Sequence, residues 1–328
     1  MVFQTYKVKF LIIDNLFVLS QLNSSPETIR PGNTMKSKIA FIINPFSGTG
    51  KKEDIPALIN QVLDPLLYEP EIVFTESRGH GTLLAKSFVD KGFDIVVAVG
   101  GDGTVNEVGR SLVHTNTSLG IVPIGSGNGL ARHLGIPMNT KKAIKQLNNS
   151  EPILMDYGLI NERPFFCTCG TGFDAYVSTE FAKGKKRGVM SYIEKIITGY
   201  FSYKSQNYHL KGEGIDLNTK AFVITFANAS QWGNNAYIAP QASVQDGKLD
   251  ISIMSNFPII AIPTLALQLF AKTIDKDLFM TTLRSEKITM IREESGPFHY
   301  DGEPYEEGKK IQIQTIADGL KVLVNKRY

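Results

Sequence analysis

The first half of the chain alternates short apolar runs with segments of helical periodicity. The apolar runs are rich in Ile and Val and lack polar alternation, as expected for strands buried on both faces. They occupy residues 39–44, 72–75, 95–99 and 120–124. Between them, apolar residues recur on one helical face at 55–63, 81–89 and 104–113. This order predicts a parallel sheet with helices on both faces, which binds ligands beyond the carboxyl ends of its strands.

The pattern changes near residue 151, where alternating and β-branched runs take over. These strand-like runs lie at 222–227, 249–254, 287–291 and 311–316. They favour an antiparallel β-sandwich, and residues 165–170 are predicted to add a core strand. We therefore expect an α/β domain over residues 35–150 and a β-rich domain over 151–328. The last strand could return to the first domain.

The longest apolar stretch lies at residues 257–271. Pro258, Pro263 and Gln268 interrupt it, and it is shorter than the ~18–20 apolar residues that span a bilayer. We predict that residues 258–271 form a buried helix; the alternative is a segment that helps an apolar chain reach the site.

The first 34 residues differ in character from the rest of the chain. Residues 10–19 are apolar, but Asp14 and Asn15 lie in their middle and no small-residue cleavage site follows closely, which disfavours a signal peptide. Residues 23–34 have the composition of turns and linkers. We predict either that Met35 is the native start or that residues 1–34 form a loosely attached extension. The alternative is that the apolar run adds a strand or helix to the fold.

The composition of the chain excludes several classes of function. The 328 residues carry 35 Lys and Arg against 32 Asp and Glu, and the resulting net charge of +3 is too small to indicate nucleic-acid binding. Two cysteines exclude a disulfide scaffold and a multi-cysteine metal site. Few cysteines without a secretory signal favour a cytoplasmic setting.

Three glycine-rich turns follow predicted strands of the first half. The first, over residues 44–52, reads NPFSGTGKK. Its small residues and two lysines would suit a phosphate, although it lacks the P-loop spacing and equally fits an ordinary strand-to-helix loop. The second, GGDGT at 100–104, opens a helix. Its Asp102 could hold Mg²⁺, accept a proton or cap that helix.

The third turn, PIGSGNGLAR at 123–132, also joins a strand to a helix. It does not match the dinucleotide fingerprint GxGxxG, and no acidic residue follows at the ribose-binding spacing, so hydride transfer is disfavoured.

The segments NPFSG, GGDGTVNEV and PIGSGNGLAR, in this order, resemble the diacylglycerol kinase catalytic-domain family, which includes sphingosine kinases, ceramide kinases and bacterial lipid kinases. GGDGT alone would be ambiguous, because NAD kinases and phosphofructokinases carry similar turns. The resemblance runs from about Met35 to the end of the chain. It implies a three-layer nucleotide domain like that of NAD kinases and diacylglycerol kinases, followed by an antiparallel β-sandwich that binds lipid.

The resemblance also assigns residues to ATP and to a catalytic Mg²⁺, with Asp102 central to the metal site. Lys51 and the basic run at 183–187 would offset negative charge; for the basic run, an ordinary solvated face is the alternative. The residues assigned to ATP are Asn44, Pro45, Ser47, Gly48, Lys51, Thr75, Gly100, Gly101, Asp102, Gly103, Thr104, Asn106, Glu107, Gly125, Ser126, Gly127 and Asn128.

Two further motifs lie in the β-rich half. Asp301-Gly302-Glu303 matches the family's DGE motif, in which one carboxylate is the proton acceptor. The sequence does not decide whether Asp301 or Glu303 has this role, and in sphingosine-kinase-like members the residue matching Asp102 has it instead. An ordinary surface turn is the alternative interpretation of the motif. The resemblance also implies a structural Mg²⁺ at a later turn. An ordinary Asp-Gly hairpin turn fits the same letters. The residues matched to that metal are Ser243, Asp246 and Lys248.

The resemblance implies an ATP-dependent kinase that phosphorylates a lipid hydroxyl, on diacylglycerol or a sphingoid base. At Ser126 and Gly129, the third turn resembles the turn of sphingosine kinases more than that of many bacterial relatives, which slightly favours a sphingoid base as substrate. A soluble NAD kinase and a non-catalytic lipid- or nucleotide-binding regulator are the alternatives. We expect a cytoplasmic protein in peripheral contact with the inner face of the membrane, and we expect no nucleic-acid partner. The sequence does not decide whether the protein forms a homodimer.

Overall fold

The computed structural model describes residues 36–48, 53–183 and 198–326, without the side chains of 181–183. Residues Ser37–Tyr328 form one compact unit. The predicted extension 1–34, Lys51 and most of the basic run 183–187 lie outside the described residues. The sequence also predicts a helix over 189–198, directly after the basic run, and most of it lies outside the described residues as well. The domain boundary near residue 150 stays a prediction.

Four parallel strands form one side of a ten-stranded mixed sheet: β1 Ser37–Ile43, β2 Tyr68–Phe74, β3 Ile95–Gly100 and β4 Ser118–Pro123. They lie in the order β2-β1-β3-β4. β1, β3 and β4 consist almost entirely of buried residues, which explains the unbroken Ile and Val runs. The predicted parallel sheet is confirmed.

Helices connect these strands, as the periodicity predicts. Pro56 lies in the first turn of the first helix, where proline is tolerated, and Asn139 caps the fifth by accepting a hydrogen bond from the N–H of Lys142 at 3.0 Å. The helices are α1 Ile55–Val62, α2 His80–Asp90, α3 Asp102–Gly109, α4 Gly129–His133 and α5 Thr140–Leu147.

The long strand β16, Lys310–Asn325, joins both halves of this sheet. Val322 of β16 pairs in parallel with Leu119 of β4. β16 also pairs antiparallel with two strands of the same sheet, residues 150–160 and 287–291. The remaining strands of the sheet are β5 Ser150–Ile160, β6 Arg163–Phe165, β8 Gln206–Gly212, β9 Ile215–Ala221 and β13 Lys287–Arg292.

A second, antiparallel sheet has the strand order β12-β11-β10-β7-β14-β15. Apolar side chains of both sheets meet in one buried core, with Phe226 and Phe298 from this sheet and Leu210 and Ile313 from the mixed sheet. The predicted β-sandwich is thus confirmed. The strands are β7 Thr168–Gly172, β10 Val223–Ala227, β11 Leu249–Met254, β12 Met280–Ser285, β14 Gly296–Tyr300 and β15 Glu303–Glu307.

The outer face of the second sheet carries two helices, α6 Phe173–Lys183 and α7 Ile262–Ala271. No described helix is long and apolar enough to cross a bilayer. The prediction of a buried helix at 258–271 is wrong, because only Leu265 of α7 is buried while Leu267 and Phe270 are 68% and 59% exposed.

The strand predicted over 165–170 is interrupted. β6 ends at Phe165 and β7 begins at Thr168. The N–H groups of Phe166 and Cys167 donate to the carboxylate of Asp301 instead of to a neighbouring strand.

Candidate active site

Three turns lie side by side at the carboxyl ends of β1, β3 and β4. A Cβ atom on Gly125 would lie 2.5 Å from the Cα of Gly101, so the second and third turns touch backbone to backbone. A Cβ on Gly48 would lie 1.9 Å from the carbonyl oxygen of Ile124, and the φ of Gly48 is +63°. Only glycine fits these approaches. The turns therefore present main-chain groups to this edge of the sheet, the kind of surface that binds phosphate.

Polar side chains fix the first turn to its neighbours. Asn44 donates from Nδ2 to Oγ1 of Thr104 at 3.0 Å and accepts at Oδ1 from the N–H of Phe46 at 2.9 Å. Thr75 is buried directly after β2, and its N–H donates to the last residue of β1 at 2.9 Å. The end of β2 thus lies against the same edge.

Most residues assigned to ATP by resemblance follow one of these four parallel strands. Among them, the side chain of Ser126 is exposed at the third turn, whereas that of Asn128 is buried and donates to the carbonyl of Gly125 at 2.7 Å. The residues that the structure brings to this edge are Asn44, Pro45, Ser47, Gly48, Thr75, Gly100, Gly101, Asp102, Gly103, Thr104, Gly125, Ser126, Gly127 and Asn128.

Asp102 links the second turn to the third. Its Oδ2 accepts from the N–H of Asn128 at 2.8 Å and its Oδ1 from the N–H of Gly129 at 2.7 Å. The carboxylate therefore caps α4 across the cleft. Burial raises the pKa of Asp102 to about 6; the two amide hydrogen bonds oppose this shift, and the charge of Asp301 adds to it.

Asn106 and Glu107 are engaged away from the glycine turns. Glu107 accepts from the N–H of Gly79 at 2.7 Å and from that of Gly81 at 3.1 Å, which caps the start of α2. Asn106 is buried and donates to Oδ2 of Asp301 at 2.8 Å. Both side chains hold neighbouring elements in place around α3.

Asp301 is 6% exposed, and its carboxylate accepts hydrogen bonds from four donors. Besides Asn106, the N–H groups of Phe166, Cys167 and Thr168 donate to it at 2.9, 2.7 and 3.3 Å. Burial raises the pKa of Asp301, and these hydrogen bonds oppose the shift. The carboxylate is therefore a buried junction between α3 and the start of β7.

Glu303 has a different environment, although it lies only two residues further on. Its side chain is 42% exposed, and a Cβ placed on Gly103 would lie 3.2 Å from its Oε1. Its Oε2 pairs with Arg78 at 2.9 Å. Glu303 is thus the accessible carboxylate of the DGE motif, directly beside the second glycine turn.

Arg78 is a site residue that sequence reasoning missed. It lies in the turn after β2, three positions beyond Thr75, and it also donates to the hydroxyl of Tyr305 at 3.1 Å. With Arg110 and His80 it lines a cavity of about 480 Å³. The sequence could have predicted this position, because Arg78 lies in the turn after a parallel strand and such turns share one edge of the sheet.

The turn matched to a structural Mg²⁺ lies between β10 and β11. Asp246 accepts at Oδ1 from the N–H of Lys248 at 3.1 Å and at Oδ2 from the guanidinium of Arg284 at 2.5 Å. The hydroxyl of Ser243 accepts from the N–H of Gln245 at 3.3 Å. The contact between Asp246 and Arg284 is partly exposed, and the other two matched residues would contribute main-chain carbonyls, so the structural Mg²⁺ at this turn stays a prediction. We assign no step to a metal here.

Across the part of the chain that the structure describes, no group of three or more His, Cys, Asp or Glu side chains is placed to hold a metal ion. The acidic side chains around the glycine turns each serve donors within the protein.

Comparison with known proteins connects this geometry to a family. Residues 38–160 match the model of the diacylglycerol kinase catalytic domain, and residues 167–324 match that of the YegS C-terminal NAD kinase beta sandwich-like domain. The "Probable lipid kinase YegS-like" of Yersinia enterocolitica is 28% identical over 235 residues, which cover 70% of this chain and 78% of the relative. The "Probable lipid kinase YegS" of Escherichia coli is 29% identical over 254 residues, covering 75% and 83%.

A crystal structure of a diacylglycerol kinase from Bacillus anthracis strain Sterne shares the fold, with a TM-score of 0.67 at 20% identity over 90% of this chain and 99% of that one. The two matched domains and the named relatives support a kinase function, and such a kinase implies the use of ATP. The chain belongs to the diacylglycerol kinase catalytic-domain family, with a YegS-type β-sandwich as its second domain.

Proposed function

We propose that this protein is an ATP-dependent lipid kinase, which transfers the γ-phosphoryl group of ATP to a hydroxyl of a lipid such as diacylglycerol or a sphingoid base. The observation that carries the proposal is the place of Glu303, an accessible carboxylate against Gly103 in the second of three converging glycine turns. Phosphoryl transfer needs a phosphate cradle and an adjacent proton acceptor, and this edge of the sheet combines both.

The phosphate cradle is supported by the backbone. Gly48, Gly101 and Gly125 let the turns approach each other, and N–H groups at the start of α3 favour negative charge. A Mg²⁺ ion bound with ATP would neutralise phosphate charge; since Asp102 already accepts two amide hydrogen bonds, such an ion would be held mainly by phosphate oxygens and water.

Three carboxylates compete for the role of base, and their environments favour Glu303. A general base must reach the hydroxyl that it deprotonates. Asp301 is enclosed by four donors, and both oxygens of Asp102 are taken by amides. Among the described residues, Glu303 pairs only with Arg78, in an exposed contact that exchanges easily.

The proposed reaction follows from these positions. The lipid hydroxyl oxygen forms a bond to the γ-phosphorus while the bond from that phosphorus to the ADP oxygen breaks. Glu303 takes the hydroxyl proton, so the acceptor oxygen gains no full positive charge. Arg78 and Arg110 line the neighbouring cavity and would offset the negative charge of the phosphoryl group.

An acceptor panel tests this function. The purified protein is incubated with γ-labelled ATP, Mg²⁺ and one acceptor at a time in mixed micelles: diacylglycerol, sphinganine, ceramide, phosphatidylglycerol or undecaprenol, with NAD in buffer as the alternative. We expect label in a lipid product. Label on NAD alone would identify a soluble NAD kinase, and ATP binding without label on any acceptor would favour a non-catalytic regulator.

The pKa of Asp102 predicts a pH dependence. As the pH falls through about 6, the carboxyl takes a proton and loses an acceptor for Asn128 or Gly129, so turnover should fall. Between 3.8 and about 6 the folded state binds this proton more tightly than the unfolded chain, so this group's contribution to the free energy of unfolding decreases as the pH rises through that window.

Asp102→Asn should remove both effects and lower turnover by about tenfold to a hundredfold, because the side-chain amide leaves the N–H of Asn128 or Gly129 without an acceptor, at a cost of about 1–3 kcal/mol, and so displaces the third turn. Turnover and denaturant unfolding, measured from pH 4.5 to 8 for both proteins, check this. An unchanged inflection near pH 6 in the variant would show that another group is responsible.

A further inference from the structure

Tyr305 lies on β15, two residues after Glu303. Its ring stacks on that of Tyr300 in the neighbouring strand β14, with the ring centroids 4.1 Å apart and the ring planes 15° from parallel. β14 also pairs with β7, so it lies inside the second sheet and not at its edge. Because Tyr300 is 6% exposed, the stack places the ring of Tyr305 against a buried and fixed partner.

Two guanidinium groups lie against the ring of Tyr305. The central carbon of Arg78 is 5.8 Å from the ring centroid, and that of Arg163 is 5.5 Å from it. Nη1 of Arg163 also donates to Oε1 of Glu307 at 2.7 Å. The attraction between a cation and an aromatic ring stabilises both contacts. Tyr305 therefore connects the second sheet to β6 and to the turn after β2.

Nη2 of Arg78 joins Tyr305 to the candidate base. It donates to the hydroxyl oxygen of Tyr305 at 3.1 Å and to Oε2 of Glu303 at 2.9 Å. The charge of Glu303 is the main cause that raises the pKa of Arg78; burial opposes the shift, and Tyr305 adds to it. The guanidinium thus keeps its positive charge beside the carboxylate.

The other nitrogens of Arg78 are available to a ligand. Over residues 36–48, 53–183 and 198–326, its Nε and Nη1 groups donate to no acceptor, and the side chain is 69% exposed. Arg78 also lines the cavity of about 480 Å³. A long side chain with this exposure would sample several rotamers without a further restraint. The contact with Tyr305 therefore restricts where these free donors point.

We propose that Tyr305 is a positioning residue of the kinase, which holds Arg78 so that one nitrogen contacts Glu303 while the others donate to the phosphoryl group in transfer. The proposal rests on the proposed function, in which Glu303 is the base. Groups that act together on one phosphoryl transfer must be fixed relative to each other, because small displacements cost much of the rate. Tyr305 itself takes no proton and acts through Arg78.

A double-mutant cycle tests this role. Steady-state phosphoryl transfer to the best acceptor of the panel is measured for Tyr305→Phe, Arg78→Gln and the double variant. Tyr305→Phe keeps the ring and loses only the hydroxyl contact, so kcat should fall about threefold to tenfold while the KM for ATP stays the same. Arg78→Gln should lower kcat further. In that background, Tyr305→Phe should have no additional effect.

Tyr68→Phe is the matched control. It also removes one hydrogen bond of a tyrosine hydroxyl, which Tyr68 donates to the carbonyl of Leu147 at 2.8 Å. Tyr68 is the first residue of β2, at the end of that strand away from the candidate active site. We expect Tyr68→Phe to have the kcat of the wild type, although both variants lose a hydrogen bond of similar kind.

Two results would overturn the proposal. One is a kcat of Tyr305→Phe that equals that of the wild type, or that falls equally in both backgrounds, because Tyr305 would then not act through Arg78. The other is an equally ordered Nε–H group of Arg78 in nuclear magnetic resonance spectra of the wild type and Tyr305→Leu, with Arg78→Lys used to assign the signal.

The spectroscopic measurement needs no acceptor, so it separates this proposal from the proposed function. We expect the Nε–H signal of Arg78 to become more mobile in Tyr305→Leu than in the wild type. If that occurs while the wild type phosphorylates no acceptor, the proposed function fails and the holding of Arg78 by Tyr305 stands.

Discussion

Glu303→Gln should lower turnover by about 10²–10⁴-fold while the protein keeps its fold and its affinity for ATP. Glutamine has nearly the same shape as glutamate but cannot accept the hydroxyl proton. The side chain is 42% exposed and pairs with the exposed Arg78, so its loss costs the fold about 1 kcal/mol or less. The defect should therefore appear in kcat and not in ATP binding.

Steady-state phosphoryl transfer and calorimetric titration of ATP check this result. Glu306→Gln is the matched control, because Glu306 is exposed on the same strand, β15, and should support normal turnover. Near-wild-type turnover of Glu303→Gln would move the base to another carboxylate. A loss of ATP affinity with unchanged kcat would instead assign Glu303 to nucleotide binding.

Asp301→Ala should lower the free energy of unfolding by about 3 kcal/mol, a defect of stability and not of chemistry. The substitution leaves the N–H groups of Phe166, Cys167 and Thr168 without their acceptor, at about 1–3 kcal/mol for each buried donor. Burial raises the pKa of Asp301, which means that its charged form is unfavourable there, so removing the carboxylate offsets part of that cost. The φ of +46° at Asp301 adds strain for alanine.

Urea denaturation monitored by fluorescence and circular dichroism measures this change. Glu303→Ala, two residues away, is the control and should cost about 1 kcal/mol or less. If Asp301→Ala is as stable as that control, the carboxylate does not organise the junction between α3 and β7. A stable but inactive Asp301→Ala protein would indicate a direct part in catalysis.

The local pattern of the chain predicted the strands and the glycine turns well. Runs such as 95–99 are buried on both faces, and this shows in the sequence as uninterrupted Ile and Val. The place of the glycine turns at one sheet edge then followed from parallel topology. Family resemblance supplied the order of the domains and the candidate residues.

The sequence could not separate the roles of Asp301 and Glu303. Their environments depend on partners far along the chain: Asn106 and Phe166 enclose the first, whereas Arg78 and Gly103 flank the second. No local pattern encodes such contacts.

Helix α7 and the Asp246 turn show the same limit. An apolar stretch indicates that side chains avoid water, but not whether protein or lipid covers them, so the exposure of Leu267 was not predictable. Likewise, Arg284 comes from β12, 38 positions after Asp246, and only the folded structure shows that it occupies the carboxylate matched to a metal.

The most direct test of the central claim is the fate of two differently labelled ATP molecules. The protein is incubated with Mg²⁺ and micellar diacylglycerol or sphinganine, once with γ-labelled and once with α-labelled ATP, and the lipid is extracted. The account predicts γ-label in a lipid phosphate and α-label only in the nucleotides, ADP and unreacted ATP. Lipid free of γ-label across the whole acceptor panel, from protein that binds ATP, would contradict it.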